Sequence, residues 1–490
     1  MANINSTLRP QIKYTIFLLV SGLFIRLLFL NPFYLPPDSL DYLNALDGFR
    51  DGKLLGIIRY VRLGMVIPLA FLGQVSANLH YIYFLYPLAA SIGCIWLCMR
   101  IGHILAGERA SLLAGTLIAF LPMEVVYGGI ILPDSPLNFY SLAAFYITLR
   151  VTLREINSPW HIVVAGMLLG IAYTCKVTAL FFAPAAAIQL FLFRRRVYDV
   201  MLFCFGLGFV IGIEILLLFQ CLDAWHLRIY ETLGFAIGDK GNYVTVDKTF
   251  LWWIEQVAFK LGALFFAVHK PTAALLITLP HMVAIAIFII WRNSVRINGL
   301  TWVGLWGGLF LGQQLLLSTI EPEPRLMLPA LPYLVIVCGV VFSGIWNLLD
   351  LRLRVFISGM YMIASFLGAF SFWATQKPGV EIVGGLFDNF NKIKDEREDV
   401  FVESPSQYVG NLAHYAGLKN NHWDSPETKI THWSEIYNGY TEYRKFSGPD
   451  DMKLLLDMVS ISPIRPFFRA LGFVPAVGDS SRVVLYGIKE

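Results

Sequence analysis

Charge is what this chain has least of. Only 15% of its 490 residues are Asp, Glu, Lys or Arg, and 57% are hydrophobic. An average soluble domain carries about 25% charged residues, so a single water-soluble core is excluded and a polytopic α-helical membrane protein is implied. Cysteine is nearly as scarce. Cys94, Cys98, Cys175, Cys204, Cys221 and Cys338 all lie within or at the edge of apolar segments, which excludes a disulfide framework and any zinc spacing. The histidines His226, His269, His414, His422 and His432 show no ligand spacing either. No Gly-rich phosphate loop is present, and the net charge of +4 is modest and uneven, so nucleotide and nucleic-acid binding find no support. No small-x-small cleavage site follows the first apolar run, which reads as a retained anchor.

What is there is a series of apolar runs. They lie at about 14–31, 79–99, 110–130, 137–153, 161–175, 177–193, 200–222, 271–291, 299–320, 326–346 and 355–375. Roughly 20 residues cross a hydrocarbon core, so about eleven transmembrane helices are expected. The stretch 65–76 is apolar but too short to span, and is expected to lie along the interface or re-enter. With this count, Arg9 and Lys13, Arg100 and Arg109, Arg150 and Arg154, Arg194–Arg196, Arg292 and Arg296, and Arg352 and Arg354 all fall on one side. That side is cytoplasmic by the positive-inside rule, which puts the amino terminus inside and the tail outside.

Residues 1–375 therefore read as a transmembrane domain with extracytoplasmic loops at 32–64 and 223–270. The latter mixes Trp225, Trp252 and Trp253 with basic residues, as interfacial helices do. Residues 376–490 change composition and read as a small extracytoplasmic α/β domain. Asp399–Glu403 and Ser481–Ile488 are expected strands there, and Pro405–Ala416 and Pro449–Val459 expected helices. The outer segments contain no Asn-x-Ser/Thr sequon, which with the cysteine-free tail favours a bacterial inner membrane.

Two stretches stand out at the outer surface: Pro36-Pro37-Asp38-Ser39-Leu40-Asp41-Tyr42 and Ile130-Ile131-Leu132-Pro133-Asp134-Ser135-Pro136. A lone Asp38 would be an ordinary helix cap, with Asp41 and Asp47 exposed beside it. Recurrence of Pro-Asp-Ser at a second outer corner makes Asp38 and Asp134 a candidate catalytic pair, one as general base and one as positioning group or metal ligand. A phosphorylated substrate would also need cations. Lys53, Arg59 and Arg62 lie in the first loop, Lys176 between two apolar runs, and Arg325 after Glu-Pro-Glu-Pro. Lys176 can snorkel to headgroups or contact a phosphate, and Arg325 has the same choice between anchor and anion clamp. Glu214, inside a span, is expected to pair within the bundle.

These motifs resemble the GT-C class of membrane glycosyltransferases, in the family-39-like branch of protein O-mannosyltransferases and lipid A aminoarabinose transferases. Asp38-Ser39-Leu40-Asp41-Tyr42 is similar to the Asp-(Glu/Ser)-x-x-Tyr first-loop motif, and Pro133-Asp134 to the second-loop Pro-Asp. Gly166–Ala179, with Gly170, Tyr173 and Lys176, resembles a Gly-Leu-x-x-x-Thr-Lys stretch. Arg325–Pro332 resembles an Arg-Tyr-x-x-Pro-x-x-Pro span, with Leu326 in place of the Tyr. Ser39 stands where many members carry Glu, which removes one metal ligand. The resemblance implies an inverting transferase that moves a sugar from a polyprenyl-phosphate donor to a lipid, glycan or protein acceptor at the bilayer surface. It implies Asp38 and Asp134 as catalytic residues and Lys176, Arg325, Arg62, Arg59 and Lys53 as donor-phosphate ligands. Tyr42, Ser39 and Tyr173 would line the substrate site. No cofactor is demanded, although a divalent cation is compatible. The rival readings are a transporter or lipid flippase, and a glycan polymerase or ligase.

Overall fold

The computed structural model describes residues 4–30, 39, 42–43, 45–46, 61–75, 80–156, 158–222, 225–226, 228–229, 232, 297–317, 328–346, 348–370, 373, 401–402, 419–420 and 488–489. Twelve helices can be followed in chain order among them. They are α1 (Ile4–Leu28), α2 (Leu63–Val75), α3 (Leu85–Ala106), α4 (Glu108–Phe120), α5 (Pro122–Tyr127), α6 (Asp134–Thr152), α7 (Pro159–Cys175) and α8 (Ala183–Arg194). The remaining four are α9 (Val197–Leu222), α10 (Ile297–Leu317), α11 (Leu331–Trp346) and α12 (Leu351–Phe370). Five described helical stretches are long and apolar enough to cross a membrane: Ile82–Ala106, Val177–Arg194, Val197–Gln220, Leu328–Trp346 and Leu351–Phe370. The protein is a helical membrane protein.

Where helices stop, the sequence says why. Gly107 takes a φ of +82° between α3 and α4, a value that glycine adopts without Cβ strain. Leu121 is extended because Pro122 follows it, and Pro122 then opens α5 with no N–H to lose. The expected span at 110–130 is therefore two helices, α4 and α5, with a break at Leu121. The run at 177–193 is likewise divided: Val177–Phe182 is a 3-10 turn and α8 follows. The stretch expected at the interface, 65–76, is α2. It carries Pro68, buries Leu63, Met65, Val66 and Leu69, and packs on the end of α7, where a Cβ at Gly64 would meet Thr174 Oγ1 at 2.4 Å.

Among the described helices, α7 and α9 pack most tightly. A Cβ on Gly166 would lie 2.1 Å from the Phe203 carbonyl oxygen, and one on Gly206 would lie 2.1 Å from that of Val163. Reciprocal glycines let the two backbones touch, which substitutes for the hydrophobic drive that lipid removes. An aromatic core joins α6, the 3-10 turn, α10 and α11. In it Phe182 stacks on Phe310 (centroids 4.9 Å apart), and Phe145 meets Trp306 edge-on at 5.1 Å. Trp306 donates its indole N–H to Gln189 Oε1 at 2.9 Å, so the buried polar tip is satisfied. The outer face of α9, with Phe205, Phe209, Ile213 and Leu216, is exposed and suits acyl chains.

In the tail, β1 (Phe401–Val402) pairs parallel to β2 (Lys419–Asn420) and antiparallel to β3 (Ile488–Lys489), giving the order β2-β1-β3. The first falls inside the expected strand at Asp399–Glu403, and the third begins at the last residue of the expected Ser481–Ile488 strand. The span at 271–291, the helices at Pro405–Ala416 and Pro449–Val459, and most of 32–64 and 223–270 lie outside the described residues.

Candidate functional site

Asp134 opens α6 directly after Pro133, and its side chain is only 2% exposed. A carboxylate that deep needs a partner, and Lys176 Nζ lies 2.8 Å from its Oδ1. Position in the first turn adds the favourable end of the helix dipole. Lys176 reaches Asp134 because its backbone leaves the helix. After α7 it turns to φ −159° and ψ 130°, while its N–H still bonds Ala172 and its carbonyl starts the 3-10 turn at Ala179. Its side chain keeps 12% exposure. The ammonium is thus paired with a carboxylate 42 residues away in sequence. The other carboxylate oxygen, Oδ2, is buried without a hydrogen-bond partner among the described residues.

The two Pro-Asp-Ser corners meet. Ser39 Oγ donates to the Ile131 carbonyl at 2.8 Å, and Ser39 is fully buried. Asp38 precedes it in the chain and lies outside the described residues, as do Lys53, Arg59 and Arg325. Tyr42, three residues beyond Ser39, is buried and accepts a hydrogen bond from Arg62 Nη1 at 2.6 Å. Arg62 in turn stands at the entrance of α2. Two cations, Arg62 and Lys176, are thus each fixed by a side chain from a motif that the sequence had singled out.

Tyr173, one turn before Lys176, faces a different group. Its hydroxyl pairs with Thr232 Oγ1 at 2.8 Å, and its ring lies 4.3 Å beneath the guanidinium of Arg228. Arg228 also donates to the Tyr173 carbonyl, and through Nε to Glu214 Oε2 at 2.9 Å. Glu214 thereby has the intramembrane partner that the sequence required without naming it. Arg228 itself gave no signal beyond being basic in an aromatic-rich loop.

A second buried polar chain escaped the sequence reading. Arg26, wholly buried, donates Nε to Ser91 Oγ at 2.8 Å and Nη1 to the carbonyls of Gly22 and Ala119 at 3.0 and 2.9 Å. Ser91 bonds Glu124 Oε2 at 3.3 Å, and Glu124 Oε1 accepts from Asn138 Nδ2 at 3.1 Å. Charged residues inside apolar segments were the available signal. Arg26 and Glu124 were averaged into the runs that contain them.

No group of three or more His, Cys, Asp and Glu side chains suited to a metal occurs among the described residues. Of the expected site carboxylates, the described one, Asp134, already has Lys176 against it.

Residues 69–219 match the dolichyl-phosphate-mannose-protein mannosyltransferase family, under a third of the chain. No curated protein matches the chain. Among solved structures, ArnT from Cupriavidus metallidurans bound to undecaprenyl phosphate is similar over 83% of this chain and 75% of that one, with 13% identity and a TM-score of 0.51. The oligosaccharyltransferase of Archaeoglobus fulgidus in its apo form is similar over 84% of this chain and 64% of that one, with 12% identity and a TM-score of 0.51. At such identity the two structures speak for the fold alone. The chain thus shares the helical membrane fold of these two proteins, and over residues 69–219 it is similar to a membrane mannosyltransferase family.

Proposed function

We propose that the protein is an inverting transferase that moves a sugar from a polyprenyl-phosphate donor to a lipid, glycan or protein acceptor at the extracytoplasmic face. The observation that carries this reading is the Lys176–Asp134 pair, set beside the Ser39–Ile131 junction of the two Pro-Asp corners. The undecaprenyl phosphate in the similar ArnT structure supports the donor class.

Asp38 takes the proton from the acceptor hydroxyl or amine. The acceptor atom bonds the anomeric carbon from the face opposite the phosphate, and the bond from that carbon to the phosphate oxygen breaks. Its electron pair departs with the polyprenyl phosphate, so the catalytic demand is for cations where that charge develops. Lys176 and Arg62 supply it, joined by Arg325, Arg59 and Lys53. An arriving phosphate competes with Asp134 for the Lys176 ammonium. The carboxylate it displaces is then available to orient the acceptor, with Tyr42, Ser39 and Tyr173 shaping the surroundings. A divalent cation is compatible with this reading.

The architecture that goes with this reading has about eleven spans in residues 1–375 and a small outer α/β domain in 376–490. The amino terminus faces the cytoplasm of a bacterial cell and the tail faces the periplasm.

The test is mass spectrometry of membrane lipids from cells expressing the wild-type chain or Asp38→Asn at matched levels. The variant should accumulate one polyprenyl-phosphate sugar, and its transfer rate in detergent should fall about 10²- to 10⁴-fold, as general-base loss does. Retention of more than half the activity would remove Asp38 from the mechanism. Turnover in detergent also separates transfer from transport, which needs a sealed compartment.

A further inference from the structure

We propose that Arg228 is a positioning residue for Lys176: it caps the end of α7 from outside the helix and so turns the ammonium toward Asp134. The inference rests on the reading of Lys176 as a donor-phosphate ligand. Nothing local stops α7 where it stops. Neither Gly nor Pro occurs between Gly170 and Pro184, yet the helix ends at Cys175 and Lys176 is extended. In a continuing helix the Tyr173 carbonyl would accept the N–H of Val177. With Lys176 extended, that N–H is carried off the helix axis, and Arg228 Nη2 donates to the Tyr173 carbonyl in its place. A cation at a helix carboxy terminus also meets the favourable end of the dipole. A side chain 55 residues away in sequence thus supplies the stop that the neighbouring residues lack.

Arg228 is itself held in place. Its Nε donates to Glu214 Oε2 at 2.9 Å, and its guanidinium lies 4.3 Å from the centre of the Tyr173 ring. Glu214 belongs to the face of α9 that meets α7. Gly206 abuts Val163, Val210 abuts Gly170, and Glu214 follows at the same four-residue interval. Thr232 Oγ1 donates to the Arg228 carbonyl at 2.8 Å, which spends its one proton, so the Tyr173 hydroxyl donates to Thr232. Tyr173 is therefore gripped at carbonyl, ring and hydroxyl by the same short piece of chain. If α7 continued, Lys176 would fall on the face of Tyr173, where the guanidinium already stands, and like charges would meet. The cap prevents that register. The chain leaves the helix instead, and Lys176 Nζ reaches Asp134 Oδ1 at 2.8 Å. Arg228 is wholly buried, so it acts through Lys176 and not on the lipid.

The experiment titrates purified wild-type protein and variants in detergent with undecaprenyl phosphate and measures Kd, with the melting temperature of the lipid-free protein recorded alongside. Arg228→Met combined with Glu214→Leu leaves no buried charge to solvate, so its melting temperature should stay near the wild-type value. Its Kd should nevertheless rise about tenfold, close to the rise in Lys176→Met. Adding Lys176→Met to that pair should raise Kd by less than about twofold more, because all three changes act through one ammonium. Arg228→Lys keeps a charge beside Glu214 but lacks the planar fork that spans carboxylate and carbonyl. It should show the same loss, and it stands in if the charge-free pair fails to fold. Ser91→Ala breaks a bond in the other buried polar chain; it should lower the melting temperature and leave Kd within about twofold. Wild-type affinity in the charge-free pair and in Arg228→Lys overturns the inference, as does an additive loss in the triple variant or an equal loss in Ser91→Ala. A wild type that does not bind the lipid phosphate, or Lys176→Met that binds it as well, is a different result: it removes the donor reading, and the positioning role with it.

Discussion

Two ion pairs flank the last turn of α7, and they are built differently. Arg228–Glu214 spans 2.9 Å with side chains 0% and 2% exposed, and the guanidinium is further occupied by the ring and carbonyl of Tyr173. Lys176–Asp134 spans 2.8 Å, yet the lysine keeps 12% exposure. Lengths this similar teach nothing by themselves. What differs is how many other groups each cation serves. A planar guanidinium spent on a carboxylate, a carbonyl and a π-face is a brace. An ammonium is a compact charge on a flexible stem and can exchange one anion for another. The brace sits where Arg228 meets the end of α7 at Tyr173, and the Lys176–Asp134 pair sits one turn farther on.

The comparison breaks most visibly through Arg228→Met. Removing the guanidinium strands the Glu214 carboxylate in the bundle, and a buried pair broken on one side costs about 3–5 kcal/mol. Thermal unfolding in detergent should show that loss, and Arg228→Met with Glu214→Leu should recover most of it, since no charge then remains to solvate. Equal instability in the single and double variants would mean that the pair is not the brace described.

Lys176→Met is the counterpart and should invert the pattern. Transfer should fall about 10²- to 10³-fold, the range for loss of a preorganised group that stabilises developing charge. The melting temperature should move less than in Arg228→Met, because Asp134 retains the helix amino terminus. Pairing it with Asp134→Asn should restore no activity, because the ammonium is needed for the phosphate and not only for its resting partner. Recovery in the double variant would make Lys176–Asp134 a second brace.

How much of this was legible beforehand depends on whether the property is local. Apolar runs announced the helices because length and hydropathy belong to a segment: α9, α11 and α12 fall within a few residues of the expected spans at 200–222, 326–346 and 355–375. Leu121-Pro122 broke one run in a way the dipeptide allows, but average hydropathy concealed it. Asp134, Lys176, Ser39 and Tyr42 were each marked by their motifs. Their contacts were not, since Lys176 with Asp134, or Ser39 with Ile131, depends on which helices turn out to be neighbours. Arg26 and Glu124 were hidden for a related reason. A single charge hardly changes the mean of a 20-residue run, yet in lipid it must find a partner, and each found the other through Ser91.

The smallest expected effect sharpens the comparison furthest, because it asks whether the exchangeable pair works with the first-loop corner at all. Ser39→Ala removes one buried hydroxyl-to-carbonyl bond, 2.8 Å long, between Ser39 and Ile131. Such a bond is worth about 1 kcal/mol, so unfolding should barely register it. Turnover should respond more plainly. Ile131 lies three residues before Asp134, and Ser39 directly follows Asp38, the two carboxylates that the proposed mechanism assigns to the acceptor. A loosened corner should lower kcat several-fold and leave the donor KM unchanged, because Lys176 is still in place to receive the phosphate. An unchanged kcat would uncouple the corners, leaving Lys176–Asp134 a donor site that owes nothing to the loop beside it.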